Sequence, residues 1–320
     1  MRRRTILTRA VGCAVVAGAA ACSSEARLRL GVHPWIGYEP LQLASDFGWL
    51  DERLELVNGR SATDSIQGLL RGRLEGAALT LDETLSVRAA GTPVVVVLVA
   101  DVSAGADMLL ARPELTSMTE LRGKRIAIER SAVGELMLVH CLDRAGLRRH
   151  EVEQVAMPVD AQAQAWRHRQ IDAAISYEPT ASRLMREGAR RLFDSRALPE
   201  TIFDVLAVRR EVARRDPSLV RALITGHLRG LRHLRANRGD ALYRIAARLQ
   251  LDVAEARAAL AGISLPDLQR NRSLLGPDAR LLRPLQDLMK LMLQHKLLPT
   301  PDALEDLFAD RYLPGREVAA

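Results

Sequence analysis

The alternation of short apolar runs with amphipathic segments over residues 27–210 is the feature that most limits how this chain can fold. Runs rich in Val, Ile and Leu are separated by helical patterns of about 8–14 residues, which is typical of β-α-β units with parallel strands. The predicted strands are Leu28–His33, Leu54–Val57, Gly76–Thr80, Val94–Val99, Met108–Ala111, Arg125–Glu129, Gln154–Met157, Ala173–Tyr177 and Ile202–Arg209. From Asp216 onward the pattern predicts helices only. The fold class is therefore α/β, with mostly parallel sheets, flanking helices and a C-terminal helical segment.

A weak internal repeat divides the α/β part into two halves. The segment Leu74–Thr80 (LEGAALT) is echoed by Ile171–Tyr177 (IDAAISY), and each copy is a predicted strand that follows a helix. Because ligands bind beyond the carboxyl ends of strands in open α/β sheets, two such halves facing each other predict a cleft. Two extended segments, Asp107–Arg112 and Phe203–Arg210, are the expected crossings. The predicted lobes are residues 27–107 with 206–320, and residues 108–205.

Residues 1–21 have the composition of an export signal. Four arginines precede a run of small and apolar residues, Ala10–Ala21, which is shorter than the about 20 residues that span a bilayer. A twin-arginine pattern at Arg3–Leu7 leaves the export route open. Removal of the signal takes away four arginines and no acids, so the net charge falls from +7 to +3. That charge excludes a strongly basic nucleic-acid-binding protein.

The three cysteines predict a lipid anchor rather than a disulfide framework. Cys13 leaves with the signal, and Cys22 follows three alanines and precedes two serines, which resembles the acylation site of bacterial lipoproteins. The alternative is a soluble periplasmic protein cut after Ala21. Cys141 is then the remaining thiol of the folded body, and its apolar helix predicts a buried, inert side chain.

Several segments resemble periplasmic substrate-binding proteins of ABC importers, in the nitrate, sulfonate and taurine branch that also holds thiamine-precursor and riboflavin binders. The matching segments are residues 31–41 (GVHPWIGYEPL), 69–77 (LLRGRLEGA), 121–127 (LRGKRIA), 171–174 (IDAA) and 177–179 (YEP). The resemblance implies a type II periplasmic binding fold with a hinge that the chain crosses twice. It also implies a monomer that delivers its ligand to an ABC permease with a separate ATPase subunit.

The candidate ligand contacts follow predicted strands. Trp35, Gly37 and Tyr38 offer a flat aromatic wall beside free backbone, although Trp35 could also belong to the core. Thr63, Thr80 and Ser131 lie where helices begin, so they either cap those helices or present N–H groups to an anionic or polar ligand.

A second group of candidates is acidic and favours a ligand that carries an amine or another protonated nitrogen. Its members follow predicted strands or lie at the second crossing. The alternative to ligand binding is that they are surface acids or form salt bridges. Tyr177 and Glu178 form the strongest pair, because the ring can stack while the carboxylate accepts hydrogen bonds. The other members are Glu39, Asp82, Glu83 and Asp204. The family's better-known anionic ligands and the helix N-termini favour nitrate, taurine or a sulfonate instead, so the ligand's charge stays open.

Motifs of the common enzyme classes are missing from the sequence. It contains no G-x-x-x-x-G-K loop, G-x-G-x-x-G, G-x-S-x-G or H-E-x-x-H, and the histidines show no metal spacing. We therefore expect no catalytic residue, metal or cofactor. Two alternatives remain: a binding protein of the same fold that feeds a sensor kinase, and an enzyme related to pyrimidine-precursor synthases. The second needs a cysteine cluster that one mature folded-body cysteine does not supply.

Overall fold

The computed structural model describes residues 27–277 and 280–315, in which two mixed β-sheets are flanked by helices. The export signal and Cys22 lie outside the described residues. The strands are β1 (Leu28–Val32), β2 (Leu54–Asn58), β3 (Gly76–Thr80), β4 (Val94–Ser103), β5 (Met108–Ala111), β6 (Arg125–Ile128), β7 (Glu153–Ala156), β8 (Ala173–Ser176), β9 (Arg190–Asp194), β10 (Phe203–Arg209) and β11 (Ile263–Ser264).

The helices cover the faces of the sheets and form most of the last third of the chain. They are α1 (Glu39–Asp46), α2 (Ala62–Leu70), α3 (Leu81–Ala89), α4 (Ala132–Ala145), α5 (Val159–Arg167), α6 (Thr180–Arg186), α7 (Arg210–Arg215), α8 (Pro217–Ala236), α9 (Arg238–Leu249), α10 (Val253–Ala261), α11 (Leu268–Leu275) and α12 (Leu282–Gln294). Helix α8 starts as the sequence predicts: the Asp216 carboxylate accepts a hydrogen bond from the Leu219 N–H at 3.0 Å, and Pro217 follows the cap.

The strand order confirms the two-sheet α/β fold and makes the internal repeat visible. Sheet A has the order β11-β4-β10-β3-β1-β2, and sheet B has the order β7-β6-β8-β5-β9. Strand β3 lies between parallel β1 and antiparallel β10, and β8 lies in the same way between β6 and β5. The registers agree as well, since Leu30 pairs with Gly76 in sheet A and Ile126 pairs with Ala173 in sheet B. The two repeat copies therefore occupy equivalent positions.

Each sheet is mixed, whereas the sequence pattern predicts mostly parallel sheets. In sheet A, β10 runs antiparallel to both β3 and β4, and in sheet B, β5 runs antiparallel to both β8 and β9. The reason is the double crossing: β5 and β10 are the first strands that the chain forms after entering a sheet from the other one. Their direction is consequently opposite to that of the strands beside them.

The chain passes from sheet A to sheet B between Ser103 and Met108, and it returns between Asp194 and Phe203. The segments expected to be crossings are thus strands β5 and β10, which lie directly after the crossings. Strand β10 begins at Phe203 and belongs to sheet A along its whole length. The division into lobes at residues 107/108 and 205/206 stays a prediction.

Two short edge strands are absent from the sequence prediction. Strand β9 starts with two arginines and pairs only with β5, and β11 consists of two residues beside β4 in the segment predicted to be all helical. Neither has the continuous apolar run that identifies a buried strand. The predicted strands either match the observed ones or differ from them by a few residues at their ends.

Candidate functional site

The carboxyl ends of β3 and β8 face each other across a small cavity. Its volume is about 20 Å³, which is room for about one water molecule. Both sheets supply its walls. The lining residues are His33, Trp35, Ala62, Thr80, Glu83, Asp107, Glu129, Val133, Tyr177 and Asp204. We call this space the central cavity.

Aromatic rings from both sheets meet at the central cavity. Trp35 and Tyr38 follow β1, and Tyr177 follows β8. The Trp35 and Tyr177 rings pack edge to face with centroids 5.5 Å apart, and His33 packs edge to face on Tyr38 at 5.2 Å. Burial lowers the pKa of His33 to about 4, so its imidazole is neutral at physiological pH.

Two of these rings donate hydrogen bonds to buried aspartates. The Trp35 Nε1–H donates to Asp101 Oδ2 at 3.0 Å, and the Tyr38 hydroxyl donates to Asp204 Oδ1 at 2.5 Å. Gly37 makes the first bond possible, because a Cβ at this position would lie 1.6 Å from Asp101 Oδ2. The glycine is therefore required for the placement of a carboxylate, a role different from the predicted backbone approach to a ligand.

Glu129 connects the two sheets. Its Oε1 accepts a hydrogen bond from the Thr63 hydroxyl on α2, and its Oε2 accepts one from the Tyr177 hydroxyl, each at 3.1 Å. Thr63 belongs to the sheet A side, whereas Glu129 and Tyr177 follow strands of sheet B. These bonds join the two sides of the central cavity, and its volume of about 20 Å³ is too small for an organic molecule, so the two sides must move apart before one enters.

Carboxylates dominate the electrostatics of the central cavity and of its surroundings. Burial raises the pKa of Glu83 to about 8, with Asp82 adding to the shift, and raises that of Asp107 to about 7. The same cause raises the pKa of Asp101 to about 8 and that of Asp82 to about 6, and it places that of Asp204 well above its ordinary value. Asp82 and Asp101 do not line the cavity, but both are fully buried beside acids that do.

Some carboxylate oxygens of this group have no hydrogen-bond partner among the described residues. Glu83 Oε1 and Asp107 Oδ2 are in this state, and so is Asp101 Oδ1. The second oxygen of Glu83 accepts the Thr80 N–H at 3.0 Å. The cavity lining given above contains four acids and neither lysine nor arginine.

Two predicted contacts lie away from the central cavity. Ser131 caps α4, where its hydroxyl accepts the Gly134 N–H, and it lines a separate groove with Arg130 and Arg149. Glu178 accepts two hydrogen bonds from Ser182 and lines another groove. The structure thus separates Glu178 from its neighbour Tyr177, since adjacent side chains at the end of a strand point in opposite directions.

The structure adds residues that the sequence prediction did not single out. His33, Asp107 and Glu129 line the cavity, and Asp101 supports Trp35. The sequence positions of three of them could have identified them as candidates. Glu129 directly follows β6, Asp107 directly precedes β5, and Asp101 is the one charged residue of β4.

Within residues 27–277 and 280–315, no group of three or more His, Cys, Asp or Glu side chains is arranged to hold a metal ion. No helix in the same ranges combines the length and the apolar character that a membrane span requires. Cys141 is buried, and burial raises the pKa of its thiol.

Two α/β halves with a cavity between their strand ends define a type II periplasmic binding fold, and solved structures agree. The alkanesulfonate-binding protein SsuA from Xanthomonas axonopodis pv. citri, bound to MOPS, superposes with a TM-score of 0.73 at 19% identity, covering 90% of this chain and 98% of that one. The desulfurization enzyme DSZB superposes with a TM-score of 0.66 at 20% identity, covering 89% and 97%. These identities establish a shared fold.

Sequence comparison identifies the family. The model of the NMT1-like family matches residues 22–249, so the chain belongs to that family. The taurine-binding periplasmic protein of Escherichia coli (strain K12) is 28% identical over 133 residues, which is 41% of this chain and 41% of that protein. The matched part thus spans less than half of the length of this relative.

Proposed function

We propose that this protein is the extracytoplasmic substrate-binding component of an ABC importer. It captures a small polar organic molecule in the cleft between two lobes, residues 27–107 with 206–320 and residues 108–205, and delivers it to a permease driven by a separate ATPase subunit. The observation that carries the proposal is the central cavity, whose walls come from both sheets at their strand ends. The fold shared with SsuA and the likeness to a taurine-binding protein support it.

The mechanism follows from the contacts that close the cavity. The bonds from Thr63 and Tyr177 to Glu129 and the packing of Trp35 on Tyr177 are contacts that must break when the two sides of the cavity separate. A ligand that contacts both sides replaces these bonds and favours the closed arrangement by its differential affinity for that state. Release to a permease requires the reverse opening.

Small-angle scattering tests this proposal. The full-length protein, stripped of bound molecules by unfolding and refolding, is titrated with a panel of small cations, neutral compounds and anions. Single-site binding accompanied by a smaller radius of gyration is the expected result. A particle whose dimensions are the same with every compound, and whose thermal midpoint no compound shifts, contradicts the proposal.

We further propose that Cys22 is acylated and anchors the mature protein on the periplasmic side of a membrane, with a soluble periplasmic protein as the alternative. The support is the sequence around this cysteine. Metabolic labelling with a fatty acid should mark the wild-type protein and leave Cys22→Ala unlabelled. Equal labelling of both, or of neither, contradicts the anchor.

An enzymatic function is the second candidate, because DSZB shares the fold. Prolonged incubation with any compound that binds, followed by mass analysis, separates the two functions. A pure binding protein returns the compound unchanged, whereas chemical conversion favours the enzyme.

A further inference from the structure

We infer that the ligand of the central cavity is an organic cation, whose protonated or quaternary nitrogen is held by the carboxylates of Glu83, Asp107 and Asp204 while its frame packs against Trp35 and Tyr177. The inference rests on the proposed binding function and adds the charge class of the substrate. The alkanesulfonate-binding SsuA suggests the opposite charge, whereas taurine carries both an ammonium and a sulfonate group.

Unpartnered carboxylate oxygens provide the first support. Glu83 is 1% exposed and Asp107 is 5% exposed, and each has one oxygen without a partner among the described residues. A buried carboxylate without a counter-charge is costly, and most buried acids in proteins are paired or hydrogen-bonded. A positive group between these two side chains would supply the missing partner for both, and it would also lie beside Asp204, whose Oδ1 accepts the Tyr38 hydroxyl.

The aromatic lining provides the second support, and it is independent of the acids. Trp35 and Tyr177 come from different sheets and meet at the cavity with their centroids 5.5 Å apart. Aromatic faces attract cations through their quadrupole, and Trp does so most strongly. A site that combines these rings with carboxylates binds ammonium and guanidinium groups by two mechanisms at once.

The described surroundings of the central cavity are unfavourable for an anionic ligand. The helices that begin at the cleft have a positive dipole end, which in principle attracts an anion. Three of these helices carry an acid in the first turn, however: Asp64 in α2, Asp82 and Glu83 in α3, and Glu135 in α4. Helix α6 has none, but Glu178 just before it accepts the Ser182 N–H. The Thr80 N–H donates a hydrogen bond to Glu83 and is therefore not available to an anion. With no arginine or lysine in the described lining, a sulfonate would face carboxylates without compensation.

The first test compares compounds that share a frame and differ in charge. Benzylamine, benzyl alcohol and benzenesulfonate form one set, and 1,4-diaminobutane, 1,4-butanediol and 1,4-butanedisulfonate form the other, with taurine and nitrate added. Thermal midpoints of the stripped full-length protein are measured at pH 8. We expect a cationic member to raise the midpoint by several degrees and its neutral and anionic counterparts to leave it unchanged.

The second test is the pH dependence of the dissociation constant of the cation that binds. A cation lowers the pKa of the carboxylates around it, so binding releases protons and tightens as the pH rises from 6 to 8. Glu83→Gln and Asp107→Asn should each weaken the affinity by roughly tenfold to a hundredfold and flatten this dependence. Glu52→Gln removes an acid from an exposed turn and should leave the affinity unchanged.

The outcomes separate this inference from the function on which it rests. A midpoint raised by an anion, or a cation set without effect, overturns the cationic ligand. If that anion also compacts the particle, the binding function stands and only the charge assignment fails. If no compound of either charge shifts the midpoint or compacts the particle, both fail.

Discussion

Acidic residues at the two ends of the parallel strands differ in whether an arginine pairs with them. At the amino ends, each repeat carries a carboxylate paired with an arginine: Glu75 with Arg29 in sheet A at 2.7 Å, and Asp172 with Arg125 in sheet B at 2.9 Å. At the carboxyl ends, Glu83 and its neighbours are buried without any such partner. The chain has many arginines, yet none lines the described wall of the central cavity.

This contrast distinguishes acids that are paired within the fold from acids that we propose to bind a ligand. Burial raises the pKa of Glu75, but the hydrogen bonds from the Arg29 backbone and guanidinium outweigh it and hold the pKa below its ordinary value. The Arg125 hydrogen bonds lower the pKa of Asp172 in the same way. These carboxylates are ionised and satisfied in the folded protein. At the cavity, Glu83 and Asp107 each keep one oxygen without a partner among the described residues, and we propose that a cation supplies it.

The largest expected effect is a loss of stability on raising the pH without ligand. The folded protein holds protons on Glu83 and Asp107 that the unfolded chain releases near pH 4, so their stabilising contribution is complete below that pH. It is lost as the pH rises through their folded-state pKa values of about 8 and about 7. At about 1.4 kcal/mol per pH unit for each proton, the loss between pH 5 and 8 reaches at most about 4 kcal/mol for one group.

Opening of the cleft reduces this loss, because separated carboxylates reach water. Chemical denaturation and scattering at pH 5, 6, 7 and 8 should therefore show falling stability together with a growing radius of gyration. Paired carboxylates have a folded-state pKa below about 4 and leave stability unchanged over this range, so stability that does not fall between pH 7 and 8 would contradict the unpaired state of the cavity acids.

Gly37→Ala tests how the carboxyl-end acids are placed. The new Cβ would overlap Asp101 Oδ2, so the Asp101 carboxylate must leave the Trp35 indole or the backbone must move. We expect a loss of about 3 kcal/mol in the free energy of unfolding, measured by chemical denaturation. Gly239→Ala is the matched control, since its Cβ meets nothing within 4 Å. An equal effect of both substitutions would contradict the close contact.

Neutralising one acid at each end should change stability in opposite directions. Glu75→Gln breaks the pairing with Arg29 and should lower the free energy of unfolding by about 1–2 kcal/mol at pH 8, a value kept small because the Arg29 side chain is 40% exposed. Glu83→Gln removes an unpartnered charge and should raise the free energy of unfolding at the same pH. Two losses of similar size would show that Glu83 has a partner in the unliganded protein.

The smallest effect concerns the bond between the two sides of the cleft. Thr63→Val removes the hydroxyl that donates to Glu129 and should cost about 1 kcal/mol or less, expressed as a shift toward the open arrangement. Scattering should detect a larger radius of gyration without a change in secondary structure. Thr201→Val, whose hydroxyl bonds only to the nearby Pro199 carbonyl, is the control and should leave the dimensions unchanged.

The sequence predicts the strands well because most of them are buried on both faces. The prediction for Gly76–Thr80 and for Met108–Ala111 agrees with β3 and β5 residue for residue. The missed strand β9 lies at an edge and starts with two arginines, so its pattern does not differ from that of a loop. The mixed direction of the sheets depends on the double crossing, which is a property of the whole chain.

The site is only partly predictable for a different reason. Position after a strand identifies Trp35, Tyr38, Glu83 and Tyr177 at the cavity or beside it. It does not tell which of two neighbours faces the cavity, and so Tyr177 and Glu178 were predicted as a pair although the structure separates them. Asp101 lies in an apolar strand, and its contact with Trp35 joins residues 66 positions apart in the chain.

The most direct test of the cationic cleft is the number of protons exchanged when a ligand binds. Calorimetric titrations with 1,4-diaminobutane or benzylamine at pH 7, in buffers of different ionisation enthalpy, give this number. Both amines are fully protonated at that pH, so any exchange comes from the protein. The cavity carboxylates predict a net release of protons that Glu83→Gln reduces. Binding without proton exchange, or with proton uptake, would contradict a site whose buried, unpartnered acids lose protons when a cation binds.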